Sequence, residues 1–234
     1  SLRTSLIFDP PNGRIPALTT EAKQDDETQR EWRVALMQNT PTCKQQARAC
    51  EGGEYGPISS RRFDVPPFYN TNRMNRHDGP EDQSLGDRCM LGKTPDFNGF
   101  RRIVQGEDSI AMAYDTGQGQ GYQRVVNLSG SHPPTQIRLR HGDSRGHWED
   151  DTLVVETLHF NDRLDGGDYQ PSHILQTGHR GSGEMLRITE RFRRVDANTL
   201  DYRFTVEDPS TYTEPYTVAI PFRWQENQDP IWRN

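Results

Sequence analysis

The chain lacks any run approaching the roughly 18 consecutive apolar residues of a membrane-spanning helix, so no such span is expected in its 234 residues. Apolar residues are scarce as well, at 31% of the chain, and the mean hydropathy is -0.98. A core can still form, but much of the chain must be surface, loop or polar-lined cavity. Basic charge is not in excess: 28 Lys and Arg stand against 34 Asp and Glu, for a net charge of -6. A nucleic-acid binder would normally carry a basic face. The doublets Arg61-Arg62, Arg101-Arg102 and Arg193-Arg194 do not make one, because neighbours on a strand point to opposite faces. Nucleic acid is therefore set aside as a partner. The charged fraction of 26% is ordinary and argues against wholesale disorder.

Cysteine is also sparse, with three residues. An odd count leaves at least one thiol unpaired within the chain. In an oxidising compartment Cys43 and Cys50 are the preferred pair, with Cys89 alone. No CxxC or Cys/His zinc pattern occurs, no GxSxG elbow, and no credible Cys–His pair, so serine or cysteine nucleophile chemistry has no support. The Gly-rich TGQGQG after Tyr114-Asp115 lacks the spacing and the Lys-Ser/Thr of a phosphate loop, and reads as a flexible hairpin turn. No internal repeat is evident.

What is present divides into two parts. Residues 1–98 read as an extended and helical wrap belonging to the same domain as the rest. They open with the Pro-rich DPPNGRIPALT. Thr19 or Thr20 then caps a helix of about Thr20 to Asn39 that stops before Pro41. A long irregular stretch follows, from Gly52 to Asn98. It reads as a structural wrap over a sheet face, with an active-site lid as the alternative.

Residues 99–234 read as an antiparallel β domain. Strands are expected at 100–105, 109–115, 122–128, 136–141, 152–160, 184–195, 200–208 and 216–224. GDSRGHWE, Gly142 to Glu149, reads as a polar loop entering a tight acidic turn, and Thr152 to Phe160 as a β-branched strand. The expected fold class is mainly β: an antiparallel meander forming a barrel or a curved sandwich, lipocalin-like, that hides its edges. Leu186, Ile188, Glu190 and Phe192 share one face of their strand, and Leu200, Tyr202, Phe204 and Val206 one face of the next. Glu190 is thus a carboxylate on an apolar face. The strand from Thr152 has two possible phases. One turns Val154, Glu156, Leu158 and Phe160 inward; the other turns Leu153, Val155, Thr157 and His159 inward.

The segments SLIFDPPNGRIPALT, GPEDQSLGDRC, GDSRGHWEDDTLVVET, LRITERFRRVDANTLDYRFTVEDPSTYTEPYT and IPFRW resemble a broad family of secreted or periplasmic bacterial proteins, most of them described as hypothetical. The resemblance spans nearly the whole chain. It implies export and a β-rich domain, and it names no reaction. Asp150 stands where that family usually has a turn glycine. The family often ends in a tail with a cysteine and a histidine, which would deprive Cys89 here of its usual partner, since this chain ends at Ile231-Trp232-Arg233-Asn234. The start at Ser1 reads as a processed or trimmed form.

Several residues suggest chemistry. A Glu in apolar surroundings has its proton affinity raised and suits acid–base work, so Glu190 and Glu156 are candidate catalytic groups, with His141 and Tyr114. The alternative is that each Glu is bonded to an Arg, such as Arg187 or Arg203. His159, His173, His179, Arg145 and Trp148 are candidate substrate-binding residues, with His77 of the irregular stretch expected to reach the same barrel mouth as His173 and His179. His141, Asp143 and His147 form HxDxxxH, a weak pattern for a divalent metal, because no regular element fixes the ligands. The leading expectation is a secreted enzyme that acts on a small organic molecule without a cofactor, by lyase, isomerase or hydrolase chemistry. A non-catalytic small-molecule carrier and a structural envelope protein are the alternatives.

Overall fold

The computed structural model describes residues 5–24, 27, 100–117, 120–139, 141–161 and 185–223. Among the described residues nine strands form a single sheet: β1 (Ile7–Asp9), β2 (Phe100–Gln105), β3 (Ser109–Gly117), β4 (Gln120–Asn127), β5 (Asp143–Glu149), β6 (Thr152–Leu158), β7 (Arg187–Arg194), β8 (Thr199–Glu207) and β9 (Tyr216–Arg223). From β2 to β9 the strands lie in chain order, as a meander should, and β1 joins the sheet beside β9. The protein is therefore mainly β, as the alternating pattern predicts. The sheet is open, with β1 at one end and β2 at the other, and it is a curved sandwich rather than a closed barrel.

One pairing departs from the antiparallel expectation. β4 and β5 run parallel and meet at a single register point, Asn127 against Arg145. Parallel neighbours need a crossover, and the connection from Leu128 to Gly142 supplies it. Of residues 136–141, expected as a strand, the described ones lie in this connection outside any named strand, and Leu139 forms an isolated bridge to Phe160. The strand lies later, at Asp143–Glu149, in the segment expected to be a loop. β5 shows no apolar alternation because its outer face carries Asp143, Arg145, His147 and Glu149, while Ser144, Gly146 and Trp148 take the other. Its conformation comes from pairing with β6 along seven residues, Asp143↔Leu158 through Glu149↔Thr152. The two-residue turn between them holds Asp150 at φ 52°, a conformation that Asp tolerates better than most residues.

Register fixes the faces. On β6, Leu153, Val155 and Thr157 turn inward, and Val155 lies opposite Glu190. Glu156 lies opposite Thr189 and faces outward. Inward residues of β7 and β8 — Ile188, Phe192, Tyr202, Phe204 and Val206 — join Ile110, Met112, Tyr114 and Val126 of β3 and β4 in one core. For β3 and β4 to reach that core the sheet must fold over itself. Gly146 marks the crossing: a Cβ there would meet Val126 Cγ1 at 2.8 Å and Leu128 Cδ2 at 3.1 Å.

The described N-terminal residues are stitched to the far end of the sheet. Leu18 bridges Tyr212, Thr19 N–H donates to Thr211 O, and Thr213 N–H donates to Ala17 O. Thr19 also caps the helical turn that begins at Thr20, its Oγ1 accepting from Ala22 N–H. The rest of the expected helix, the irregular stretch from Gly52 to Asn98, all three cysteines and His77 lie outside the described residues.

Candidate functional site

The two faces of the sheet carry two different clusters of charge. The inner one centres on Glu190, which is fully buried. Arg124 of β4 grips it with two donors, Nη1 to Oε2 at 2.6 Å and Nη2 to Oε1 at 3.1 Å, and Tyr202 Oη donates to Oε1 at 2.8 Å. Arg124 Nη2 also lies 3.2 Å from Met112 Sδ. The partner is neither Arg187 nor Arg203, the two arginines considered from the sequence. β5 and β6 stand between β4 and β7 in the sheet, so in a flat sheet Arg124 and Glu190 would be about 14 Å apart. Their contact is made by curvature.

Burial pulls the Arg124 guanidinium down, and the Glu190 carboxylate more than reverses this, so it stays charged. Burial, followed by the Glu190 charge, pushes the Tyr202 hydroxyl well above its ordinary value, which keeps it a neutral donor. Tyr114 belongs to the same apolar layer and is buried, with Arg124 5.8 Å over its ring.

The outer cluster lies where the β4–β5 connection crosses β5 and β6. His132, on that connection, reaches both strands. Its Nδ1 is 2.7 Å from Asp143 Oδ2 and its Nε2 is 3.2 Å from Glu156 Oε2. Arg145 secures Asp143, with Nε to Oδ2 at 2.8 Å and Nη2 to Oδ1 at 3.2 Å, and its Nη1 donates to Ser129 O. Arg187 pairs with Glu156 and, more loosely, with Glu207. Burial raises the Asp143 carboxyl, but hydrogen bonds from Arg145 and His132 outweigh it and hold the group below the usual carboxylate range.

His159 completes the outer cluster. Its ring meets that of His132 edge-on, with centroids 5.6 Å apart. It sits at φ 57°, in the left-handed region that side chains rarely adopt, directly after β6 ends. Its carbonyl accepts from Leu139 N–H, which ties the strained residue to the crossover. Its Nδ1 is buried without a hydrogen-bond partner among the described residues. Backbone strain beside an unmatched polar atom is a combination that gathers at functional sites.

No family model, curated protein or solved structure matches the chain.

The residues singled out from the sequence distribute as follows. Glu156, Arg145, Asp143 and His159 come together around His132. Glu190 and Tyr114 are on the opposite face, so Glu156 and Glu190 do not line one cavity. His141 is half-buried in the turn before β5. His147 lies four residues along β5 from Asp143, about 13 Å away, and pairs with Glu149 at the surface. HxDxxxH is therefore spread along a strand. Among the described residues no group of three His, Cys, Asp or Glu side chains is disposed to hold a metal ion. Trp148 is half-exposed near the hairpin end. His173 and His179 lie outside the described residues.

The sequence alone does not single out His132 or Arg124. His132 stands in SGSHPP, where the prolines announce a loop and nothing ties the imidazole to acids 11 and 24 residues away. Arg124 follows the alternation of Tyr122-Gln123-Arg124-Val125-Val126, in which an inward-facing Arg on the phase of Val126 was the available signal.

Proposed function

We propose that the protein is an enzyme acting on a small organic molecule by proton transfer, and that His132 exchanges the proton. Asp143–His132–Glu156 is the observation that carries this reading. An imidazole whose Nδ1 is fixed by a carboxylate presents Nε2 in a defined tautomer and direction. The two contacts are unequal. Asp143 is nearly buried and doubly held by Arg145, so the Nδ1 end is fixed. Glu156 is more exposed, has Arg187 as a second partner and stands farther from the ring, so the Nε2 end is where a substrate competes. Glu156 is then the second acid–base group and His159 a binding group. Reactions of this kind include isomerisation, elimination and hydrolysis, and the residues named need no redox cofactor.

The reading moves the acid–base centre from Glu190 to the outer face, because Glu190 is sealed in the core. A non-catalytic binding module is the second reading; the pairing of Asp143 with Arg145 and of Glu156 with Arg187 favours it, since paired charges also serve a rigid binding surface. Export to the periplasm or outside the cell is part of the proposal and rests on the quoted motif resemblance alone.

The test uses the purified full chain against a panel of chromogenic esters, lactones and β-hydroxy acids, with His132→Gln as comparison. Loss of turnover by about a hundredfold or more in the variant, with folding intact by circular dichroism, supports the enzyme reading. Equal turnover in both proteins refutes it. Thermal stabilisation of both proteins by a panel compound that neither turns over supports the binding module.

A further inference from the structure

We propose that the outer face of β7, β8 and β9 binds an acidic oligosaccharide, a short sugar chain that carries an isolated carboxylate. Two neighbouring rows of side chains build the site, lined up across the strands by their register. One row holds guanidiniums: Arg191 stands directly opposite Arg203. The other holds hydroxyls: Thr189 stands opposite Thr205, and Thr205 opposite Thr217. The rows share a face, because residues two apart on a strand point the same way. Phe8 of β1 closes one end. It is 42% exposed, with Arg203 Cζ 5.3 Å from its ring centre.

The guanidinium row calls for an anion. Like charges directly opposite one another on a sheet face are unfavourable. Each arginine has one acid. Glu149 accepts from Arg191 Nη2, and Asp201 accepts from Arg203 Nε and Nη2. Both acids lie in the row on the side of the β5–β6 turn, since Glu149 is opposite Thr152, Thr152 opposite Arg193, and Arg193 opposite Asp201. The hydroxyl row is on the other side. Among the described residues Nε and Nη1 of Arg191 and Nη1 of Arg203 carry no hydrogen bond, and each side chain is 45% exposed. Two guanidiniums on Cβ atoms about 5 Å apart, with donors to spare, suit one carboxylate. The acids beside them disfavour a ligand charged at every unit, such as a nucleic acid.

The hydroxyl row sets the rest of the ligand. The Thr205 and Thr217 hydroxyls are 2.8 Å apart. Their mutual bond uses one donor and one lone pair, and it leaves one hydroxyl hydrogen and three lone pairs for a ligand. All three threonines are half-buried on regular strands, so their hydroxyls are held in place. They repeat at the strand separation of about 4.8 Å and match a ligand with hydroxyls along its length. A bare inorganic anion meets the arginines and does not reach along this row. The ring of Phe8 offers an apolar face to the C–H side of a sugar. Thr189 is also opposite Glu156, so the row runs from β9 toward the His132 cluster. Binding on this face does not depend on proton transfer there.

Calorimetric titration of the full chain tests the proposal. The probes are a xylo-oligosaccharide bearing one glucuronic acid, sialyllactose, their neutral counterparts without the acid sugar, and inorganic phosphate. At least one acidic compound is expected to bind, about tenfold or more tighter than its neutral counterpart. Arg191→Gln and Arg203→Gln should each weaken it about tenfold, and Thr205→Val about threefold. Arg193→Gln removes the same charge one row away, where Arg193 faces Asp151, and should leave binding unchanged. Failure of both acidic compounds to bind overturns the proposal, and so does equal binding of the neutral ones. Displacement by equimolar phosphate, or an equal loss in Arg193→Gln, reduces the face to diffuse charge and overturns it too. Unchanged binding in Thr205→Val removes the saccharide. If a variant does not fold, the wild-type comparison of acidic and neutral compounds decides. His132→Gln should bind the acidic compound as the wild type does, so turnover and this site fail separately.

Discussion

Removing one partner of the Arg124–Glu190 pair should destabilise the protein far more than removing both. Each side chain is almost entirely sealed from water, at 4% and 0% exposure. Arg124→Met leaves the Glu190 carboxylate in the core with Tyr202 as its remaining side-chain donor, and a stranded buried charge costs about 3–5 kcal/mol. Glu190→Gln keeps an acceptor for Tyr202 but strands the guanidinium, at a similar cost. The double variant Arg124→Met/Glu190→Gln strands no charge. Met occupies the guanidinium's place beside Met112 and Tyr114, Gln keeps the bond from Tyr202, and the amide hydrogens it leaves unmatched cost about 1–3 kcal/mol. The two single costs therefore exceed the double by several kcal/mol, a coupling at or above the upper end for residues in contact. Urea unfolding at neutral pH, followed by circular dichroism, measures all four proteins on one scale. Additive effects, or a single substitution costing less than about 1 kcal/mol, would refute the argument that curvature buries this pair.

Two positions in the left-handed region give opposite results. Asp150→Gly should stabilise the β5–β6 hairpin by about 0.5–1 kcal/mol, because glycine adopts φ 52° without penalty, and a rise in the thermal midpoint checks it. Gly142→Ala should cost about 3 kcal/mol, since a Cβ at φ +69° would stand 2.7 Å from Leu158 O and 2.7 Å from Thr157 Cγ2; a lower urea midpoint with unchanged slope is the expected reading. Asp143 gives a pH dependence with a definite sign. Its folded carboxyl is held below the ordinary value, so its contribution is complete above about pH 4 and is lost as pH falls through the lower, folded value. Asp143→Asn should be less stable than wild type at neutral pH by about 1–2 kcal/mol, and the gap should close in acid; a gap that widens in acid would contradict this assignment.

The strands with a clean alternation were legible in the sequence. β7 and β8 fall where Leu186 to Phe192 and Leu200 to Val206 predict them, with the expected faces inward and Glu190 among the apolar side chains. β5 is not legible in the sequence because its residues are polar for a reason of position. Its outer face belongs to the His132 cluster, and its inner face needs the small Gly146 to let Val126 and Leu128 approach. The phase of β6 was undecidable because it is apolar on both faces: Leu153 and Val155 in the core, Val154 buried on the other side.

The sequence by itself determined the mainly β class and which residues of β7 and β8 point inward, because side-chain direction in a strand repeats every two residues and is local information. It also placed Glu190 on an apolar face. Only the tertiary structure decided that Glu190 meets Arg124 and that Asp143 and Glu156 meet through His132. Those contacts depend on how far the sheet curves and where the crossover from Leu128 to Gly142 lands, and both are set by the packing of strands remote in the chain.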